Sequence, residues 1–241
     1  MTDECDEVRP NGDADVRLRL GAKPDAAAAA RLHARHITEG FLSRFGPRFL
    51  TRLYRRVATS HDSFLLTAER RGLAVGFLAG STDLRALYRR FFLRDGLPAA
   101  LSTARVLVTS WPRALETLRH ARRSPGSARV PKGLDHRVDA PTHGQRAELL
   151  SIAVDPASRR AGVGKLLVEG FQSEARRRGA VRAHVVVGSR NRSAVALYER
   201  AGFTAVEEFE LHPGVESLVM VWSVPAVSRP TDAPTDGSAG P

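Results

Sequence analysis

Apolar positions along the chain recur with two periods, and the changes of period mark where elements begin and end. Val16-Arg17-Leu18-Arg19-Leu20 alternates and predicts a first strand. Pro24-Asp25 and the alanine run to Ile37 predict a capped helix. Phe49, Leu50, Leu53, Tyr54 and Val57 return at helical spacing, giving a second helix after Pro47. Phe64 to Ala68 and Ala74 to Ala79 predict two short strands, joined at Arg70-Arg71-Gly72. Leu84, Leu87, Tyr88, Phe91 and Phe92 form an amphipathic stripe. Leu97, Leu101, Ala104, Val108 and Trp111 form another, which Pro112 breaks before Leu115 and Leu118. Residues 124 to 144 read as loop. Ala147 to Val154 predicts a fourth strand, Gly162 to Arg178 a helix stopped by Gly179, and Ala183 to Val187 a buried fifth strand. Asn191 to Ala201 predicts a helix ended by Gly202. Phe203 to Leu211 and Glu216 to Val224 predict a closing hairpin across His212-Pro213-Gly214.

Composition bounds the class. The chain has 241 residues, 42% of them hydrophobic, enough for one domain with some extra structure. That domain is expected over 16–225, with 83–145 as a basic helical insertion and loop. The acidic leader 1–15 and the Pro/Thr/Ser/Gly/Asp-rich segment 226–241 are expected to be disordered tails. No run of 18 apolar residues exists, so no membrane span is expected, and the acidic start is no signal peptide. The single cysteine, Cys5, excludes an intramolecular disulfide and suits a cytoplasmic location. Net charge is +11, and twelve Lys/Arg against three acids lie between Arg85 and Arg137. That segment reads as a solvated basic face or as a patch steering acidic partners. Its apolar stripes suit either core packing or a basic lid over the site. No Cys/His/Asp cluster has metal spacing, so no metal is expected.

The run Arg159-Arg160-Ala161-Gly162-Val163-Gly164-Lys165 sits between a strand pattern and a helix pattern. A glycine turn there presents unpaired N–H groups and the positive end of a helix dipole, which together form an anion cradle. A Walker A loop would need Gly at 159, where Arg stands, and Ser or Thr at 166, where Leu stands; a dinucleotide loop would need Gly at 167, also Leu. The pattern Arg/Gln-x-x-Gly-x-Gly/Ala resembles instead the coenzyme A loop of the GNAT acetyltransferase superfamily. Leu150-Ser151-Ile152-Ala153-Val154-Asp155-Pro156 is similar to the strand and turn before that loop. Asn191-Arg192-Ser193-Ala194-Val195-Ala196-Leu197-Tyr198-Glu199-Arg200-Ala201-Gly202-Phe203 is similar to the family's downstream signature. The likeness covers roughly 147 to 222.

The resemblance implies an α/β fold with a mixed, mostly antiparallel central sheet flanked by helices. It also implies acetyl-CoA as co-substrate, with direct attack by a primary amine in a ternary complex. By the same resemblance, the fourth and fifth strands part to hold the pantetheine arm. Ile152, Ala153 and Val154 would contact that arm, and an N–H near Ile152 would stabilise the oxyanion. Arg159, Arg160, Ala161, Gly162, Val163, Gly164 and Lys165 would take the pyrophosphate, the two glycines because a Cβ would block close approach. Tyr198 would protonate the leaving sulfur. Asn191 would cap its helix and touch the cofactor. Glu148, fourteen residues before Gly162, stands where some histone-acetylating members carry their base. Strand alternation puts it on one face with Leu150, Ile152 and Val154, where a lone carboxylate among apolar neighbours would have a raised pKa. The ribosomal-protein-acetylating members place a glutamate twelve residues before the tyrosine; here that position is Val186. His184, His143 and His136 are fallback bases.

The leading expectation is an acetyl-CoA-dependent N-acetyltransferase acting on a small-molecule amine. A homodimer is compatible with it, and a nucleic-acid partner is not expected. One alternative is a protein or peptide N-acetyltransferase. Another is a non-catalytic CoA-binding module that docks on nucleic acid or an anionic membrane through the basic insertion.

Overall fold

A computed structural model describes residues 16–37, 42–95, 145–212 and 215–224. Both expected tails, the stripes from Leu97 to Leu118, His136, His143 and Cys5 lie outside the described residues. The strands are β1 (Val16–Leu20), β2 (Ser63–Arg70), β3 (Leu73–Ser81), β4 (Gln145–Val154), β5 (Ala180–Gly188), β6 (Thr204–His212) and β7 (Val215–Ser223). The helices are α1 (Ala26–His36), α2 (Gly46–Thr59), α3 (84–95), α4 (Val163–Arg177) and α5 (Arg192–Arg200). The strands form one seven-stranded sheet in the order β1-β2-β3-β4-β5-β7-β6. Every pair is antiparallel except β4–β5. The expected mixed, mostly antiparallel architecture is what forms.

Local chemistry explains the element ends. Arg71 and Gly72 both have positive φ, at 50° and 78°, as a two-residue turn between right-twisted strands requires. Gly179, at φ 81°, ends α4 because a left-handed residue breaks the helix without a Cβ penalty. The inner residues of β2 and β3 are buried on both faces, so these strands read as near-continuous apolar runs. The sheet separates two cores. One packs α4 and α5 against it through Leu167, Phe171, Val185, Tyr198 and Trp222. The other packs α1, α2 and α3 through Leu50, Tyr54, Phe77, Leu87 and Phe91. The Phe49-Leu50-Leu53-Tyr54-Val57 face of α2 is buried as its spacing predicts, each such side chain contributing about 1.5–3 kcal/mol.

Two irregularities in the middle of the sheet create the site. In the β3–β4 ladder Ala79 faces Ser151 but Gly80 faces Leu149, so Leu150 is an extra residue in β4. Such a bulge bends its strand and re-aims side chains. Leu150 packs with the α1–α2 core, whereas Ile152 and Val154 pack with the α4 core. Glu148 therefore does not share a face with Ile152 and Val154, as simple alternation had suggested; the bulge changes the count between them. The second irregularity is a split. The β4–β5 ladder stops at Leu149–Val185, yet β4 stays paired to β3 as far as Val154 and β5 to β7 as far as Gly188. Between 150–154 and 186–188 the two parallel strands are not joined.

Candidate functional site

The split exposes backbone on both sides. The Asp155 N–H donates to Val75 O at 2.8 Å, which turns that residue's polar groups toward β3. Alternation then turns the N–H and C=O of Ile152 and Val154 toward β5. The Arg159 Nε bond to Val154 O at 3.4 Å agrees with this. On the other lip, the Ser189 N–H donates to Glu216 O at 2.9 Å, so the backbone groups of Val186 and the N–H of Gly188 face β4, while the Gly188 carbonyl accepts from the Asn191 N–H at 2.9 Å. A slot lined by unjoined strand backbone can add an extended amide-containing chain.

At the C-terminal end of β4 the chain makes a short 3-10 turn, Pro156–Ser158, capped where the Asp155 side chain accepts from the Ala157 N–H at 3.0 Å. Arg160 and Gly162 both have positive φ, at 62° and 74°, and Gly162 is the N-cap of α4. The Arg159 N–H donates to Pro156 O at 3.2 Å and the Leu166 N–H to Gly162 O at 2.9 Å. Between them no backbone N–H donates a bond of ordinary geometry to a described residue. These free donors at the positive end of a four-turn helix make the anion cradle that the sequence suggested.

The two glycines serve different ends. A Cβ on Gly162 would meet nothing within 4 Å, so glycine is needed there for its φ, with open space in front. A Cβ on Gly164 would come 3.3 Å from Leu197, so that glycine lets α4 approach the helix carrying Tyr198. The expectation that both glycines keep a Cβ off the ligand is corrected for Gly164: what lies against it is Leu197.

Tyr198 is 3% exposed and packs its ring on Phe203 at 5.6 Å between centroids. Burial pushes its pKa well above that of an ordinary phenol, so it carries its proton at neutral pH. Asn191 caps α5, its side chain accepting from the Ala194 N–H at 3.2 Å. Lys165 is exposed and lies 3.7 Å from Glu169.

On the opposite face of the split is a cavity of about 140 Å³. Its walls include Leu53, Tyr54 and Val57 of α2, Tyr88 of α3, Glu148, Leu150 and Ser151 of β4, and Val186 of β5. Glu148 stands directly across the parallel ladder from His184, with Oε2 3.4 Å from Nε2 and the side chains 21% and 17% exposed. The carboxylate is thus neither exposed nor lone, which corrects the expectation of an isolated acid among apolar neighbours. Burial raises the Tyr88 pKa, and the negative charge of Glu148 raises it further. Val186 lines the same cavity as Glu148, so the carboxylate here comes from β4 while the β5 position is apolar. Sequence reasoning missed Tyr54, Tyr88 and Ser151 as cavity walls. The tyrosines fell in helical apolar stripes and read as core, whereas Ser151, a lone hydroxyl in an apolar strand, was the available signal. Among the described residues no group of three His, Cys, Asp or Glu could hold a metal ion. No described helix is long and apolar enough to cross a membrane.

A fold with this slot, a phosphate-type cradle beyond one strand and a carboxylate-bearing cavity behind it defines a class that comparison with known proteins identifies. Residues 126–203 match the Acetyltransferase (GNAT) family. The [Ribosomal protein bS18]-alanine N-acetyltransferase of Salmonella typhimurium is 44% identical over 57 residues, 24% of this chain; the chain spans 38% of that relative's length. The fold is shared with the ribosomal-protein-S18-alanine N-acetyltransferase of Escherichia coli (TM-score 0.52, 15% identity, 86% of this chain and 93% of that one). It is also shared with Arabidopsis thaliana NAA60 in complex with acetyl-CoA (TM-score 0.53, 14% identity, 87% and 98%).

Proposed function

We propose that this protein transfers an acetyl group from acetyl-CoA to a primary amine, with both substrates bound at once. The split between β4 and β5 carries this reading, because it joins the N–H cradle at 159–165 to the cavity holding Glu148. The cradle would take the pyrophosphate. The unjoined backbone groups of Ile152 and Val154 would pair with the pantetheine arm, Ala153 between them would contact it while its own backbone pairs with β3, and Asn191 would lie beside it. Acetyl-CoA supplies an activated acyl group on a thiol leaving group.

The residues then divide the work. Glu148, next to His184, takes the proton that the attacking nitrogen loses as its bond to the acyl carbon forms. The Ile152 N–H, aimed into the slot, stabilises the negative charge that gathers on the acyl oxygen. Tyr198, a phenol that keeps its proton at neutral pH and that burial holds further from ionising, gives that proton to the sulfur as the carbon–sulfur bond breaks. The cavity walls are mostly apolar with one carboxylate, which favours a small amine on an apolar skeleton. A second reading is the N-terminus of a polypeptide. The relative named for acetylating an alanine of a ribosomal protein favours it, and Val186 weighs against an identical arrangement of the base.

Thiol release from acetyl-CoA, followed with a panel of small alkyl- and arylalkylamines and with an alanine-initiated peptide, tests both readings. Turnover by wild type that Tyr198→Phe lowers about a hundredfold is expected. Unchanged turnover in Tyr198→Phe would remove the proposed acid, and absence of saturable coenzyme A binding would remove the function. Preference for peptide over every small amine would select the second reading.

A further inference from the structure

Behind the cavity wall lies a buried polar chain that the steps above do not use. His33 of α1 is 2% exposed and Tyr54 of α2 is 1% exposed, both inside the α1–α2 core. His33 Nδ1 and Tyr54 Oη are 2.5 Å apart. The tyrosine ring stands edge-on to Phe77 of β3, with centroids 5.0 Å apart, so it has little freedom to swing away. Tyr54 and Ser151 line the same cavity that holds Glu148, and burial pushes the Tyr54 pKa up while hydrogen bonding from the Ser151 side chain pulls against that rise. Two polar side chains this deeply buried cost stability unless each is satisfied, and here they satisfy each other in a line that ends at the split.

The line has a direction. Burial pushes the His33 pKa down to about 4, so near neutral pH the ring is uncharged, with one nitrogen a donor and the other an acceptor. A phenol is a stronger donor than a neutral imidazole N–H, and an imidazole nitrogen is a stronger acceptor than a phenol oxygen. The Tyr54 hydroxyl therefore donates to His33 Nδ1. Its oxygen then has only acceptor capacity left, and the Ser151 hydroxyl fills it by donating. Ser151 has one proton, and that proton is committed inward, so toward the cavity it presents lone pairs only.

We propose that Ser151 is a recognition group for the acceptor amine, accepting one of its N–H bonds beside Glu148, and that His33 and Tyr54 are positioning residues which fix the direction of the Ser151 hydroxyl. This rests on the acetyltransferase reading and deepens it. An amine with two or more N–H bonds can give one to Ser151 and another to the Glu148 carboxylate, which aims its lone pair along the slot. A tertiary amine cannot, and an acceptor hydroxyl has one proton to give where two acceptors wait. The chain thereby favours primary amines over alcohols of the same shape.

Two measurements test this. The first needs no acceptor: long-range proton–nitrogen correlation spectra of histidine-labelled protein near neutral pH report the His33 tautomer. Nδ1 without a proton is expected; a proton on Nδ1 reverses the line and overturns the proposal. The second uses the alkylamine panel and the alanine-initiated peptide with wild type, Ser151→Ala, Tyr54→Phe, His33→Leu and His33→Asn. Ser151→Ala, Tyr54→Phe and His33→Leu should raise the amine KM about tenfold, the usual consequence of one lost hydrogen bond, while coenzyme A affinity stays unchanged. His33→Asn places an acceptor oxygen near the Nδ1 position and should restore the wild-type KM; a merely space-filling role would not separate it from His33→Leu. A KM that Ser151→Ala leaves unaltered, or His33→Asn as impaired as His33→Leu with both folded, overturns this proposal alone. Wild type that binds coenzyme A but acetylates no amine overturns the acetyltransferase reading and this proposal with it.

Discussion

Replacing Gly162 by Ala tests the cradle with little disturbance elsewhere. Gly162 has φ 74°, and a Cβ there would touch nothing within 4 Å. The left-handed conformation costs an L-residue about 1–2 kcal/mol, and loss of glycine's freedom in the unfolded chain offsets about 0.4–1 kcal/mol. A net loss of about 1 kcal/mol is expected, a fall in Tm of about 2–4 °C for a domain this large. That strain is present with or without ligand, so it should not by itself change coenzyme A affinity. The added methyl, however, stands in the open space in front of the free N–H groups. If an anion seats there, affinity should fall at least about tenfold, which is about 1.4 kcal/mol. Gly162→Asn separates the two effects, since Asn tolerates the left-handed region but still carries a Cβ. It should recover most of the Tm and none of the affinity. Calorimetric titration with coenzyme A and thermal unfolding read both quantities. If Gly162→Ala lowers Tm as expected and leaves the coenzyme A Kd within about twofold of wild type, the cradle is a turn and nothing more.

Other outcomes follow from the same geometry. Glu148→Gln should lower kcat/KM about a hundredfold. Because it removes only a half-buried contact with His184, it should cost less than about 1 kcal/mol in urea unfolding, and a rate within a few-fold of wild type would exclude Glu148 as the base. Tyr198→Phe should leave coenzyme A affinity and Tm close to wild type while slowing turnover; a loss of binding instead would make the hydroxyl a structural group. His33 has a depressed pKa in the folded protein, so between about pH 6.5 and about 4 the unfolded chain binds a proton that the folded chain does not. Stability is therefore present above that window and lost as pH falls through it, by up to about 3 kcal/mol. Wild type should lose more stability than His33→Asn between pH 7 and 4.5 in urea titrations, and equal losses would refute the assignment.

Much of this molecule was legible because its signals are local. The apolar spacing of α2, the alternation of β1 and the glycines at 162, 179 and 202 each act within a few residues. Element order and the loop after β4 could therefore be read from one chain. What could not be read depends on pairing. Leu150 lies in an unbroken apolar run, and nothing in its side chain says that β3 will skip it. His184 faces Glu148 only because two strands thirty-odd residues apart run parallel in one register. His33 and Tyr54 sit at helical core spacing, and their meeting requires α1 to pack on α2. The basic segment 96–144, whose role the sequence left open between core and lid, lies outside the described residues.

Leu150 behaves as a spacer whose length matters more than its chemistry. With it, β4 carries two neighbouring side chains on the cavity side and veers from β5 just where their ladder ends. Excising that one residue would leave each remaining side chain on its own face and let β4 run straight. The two parallel strands could then zip together to their tips. Such a protein would gain backbone bonds and lose its crevice, a sturdier molecule with nowhere to put a substrate.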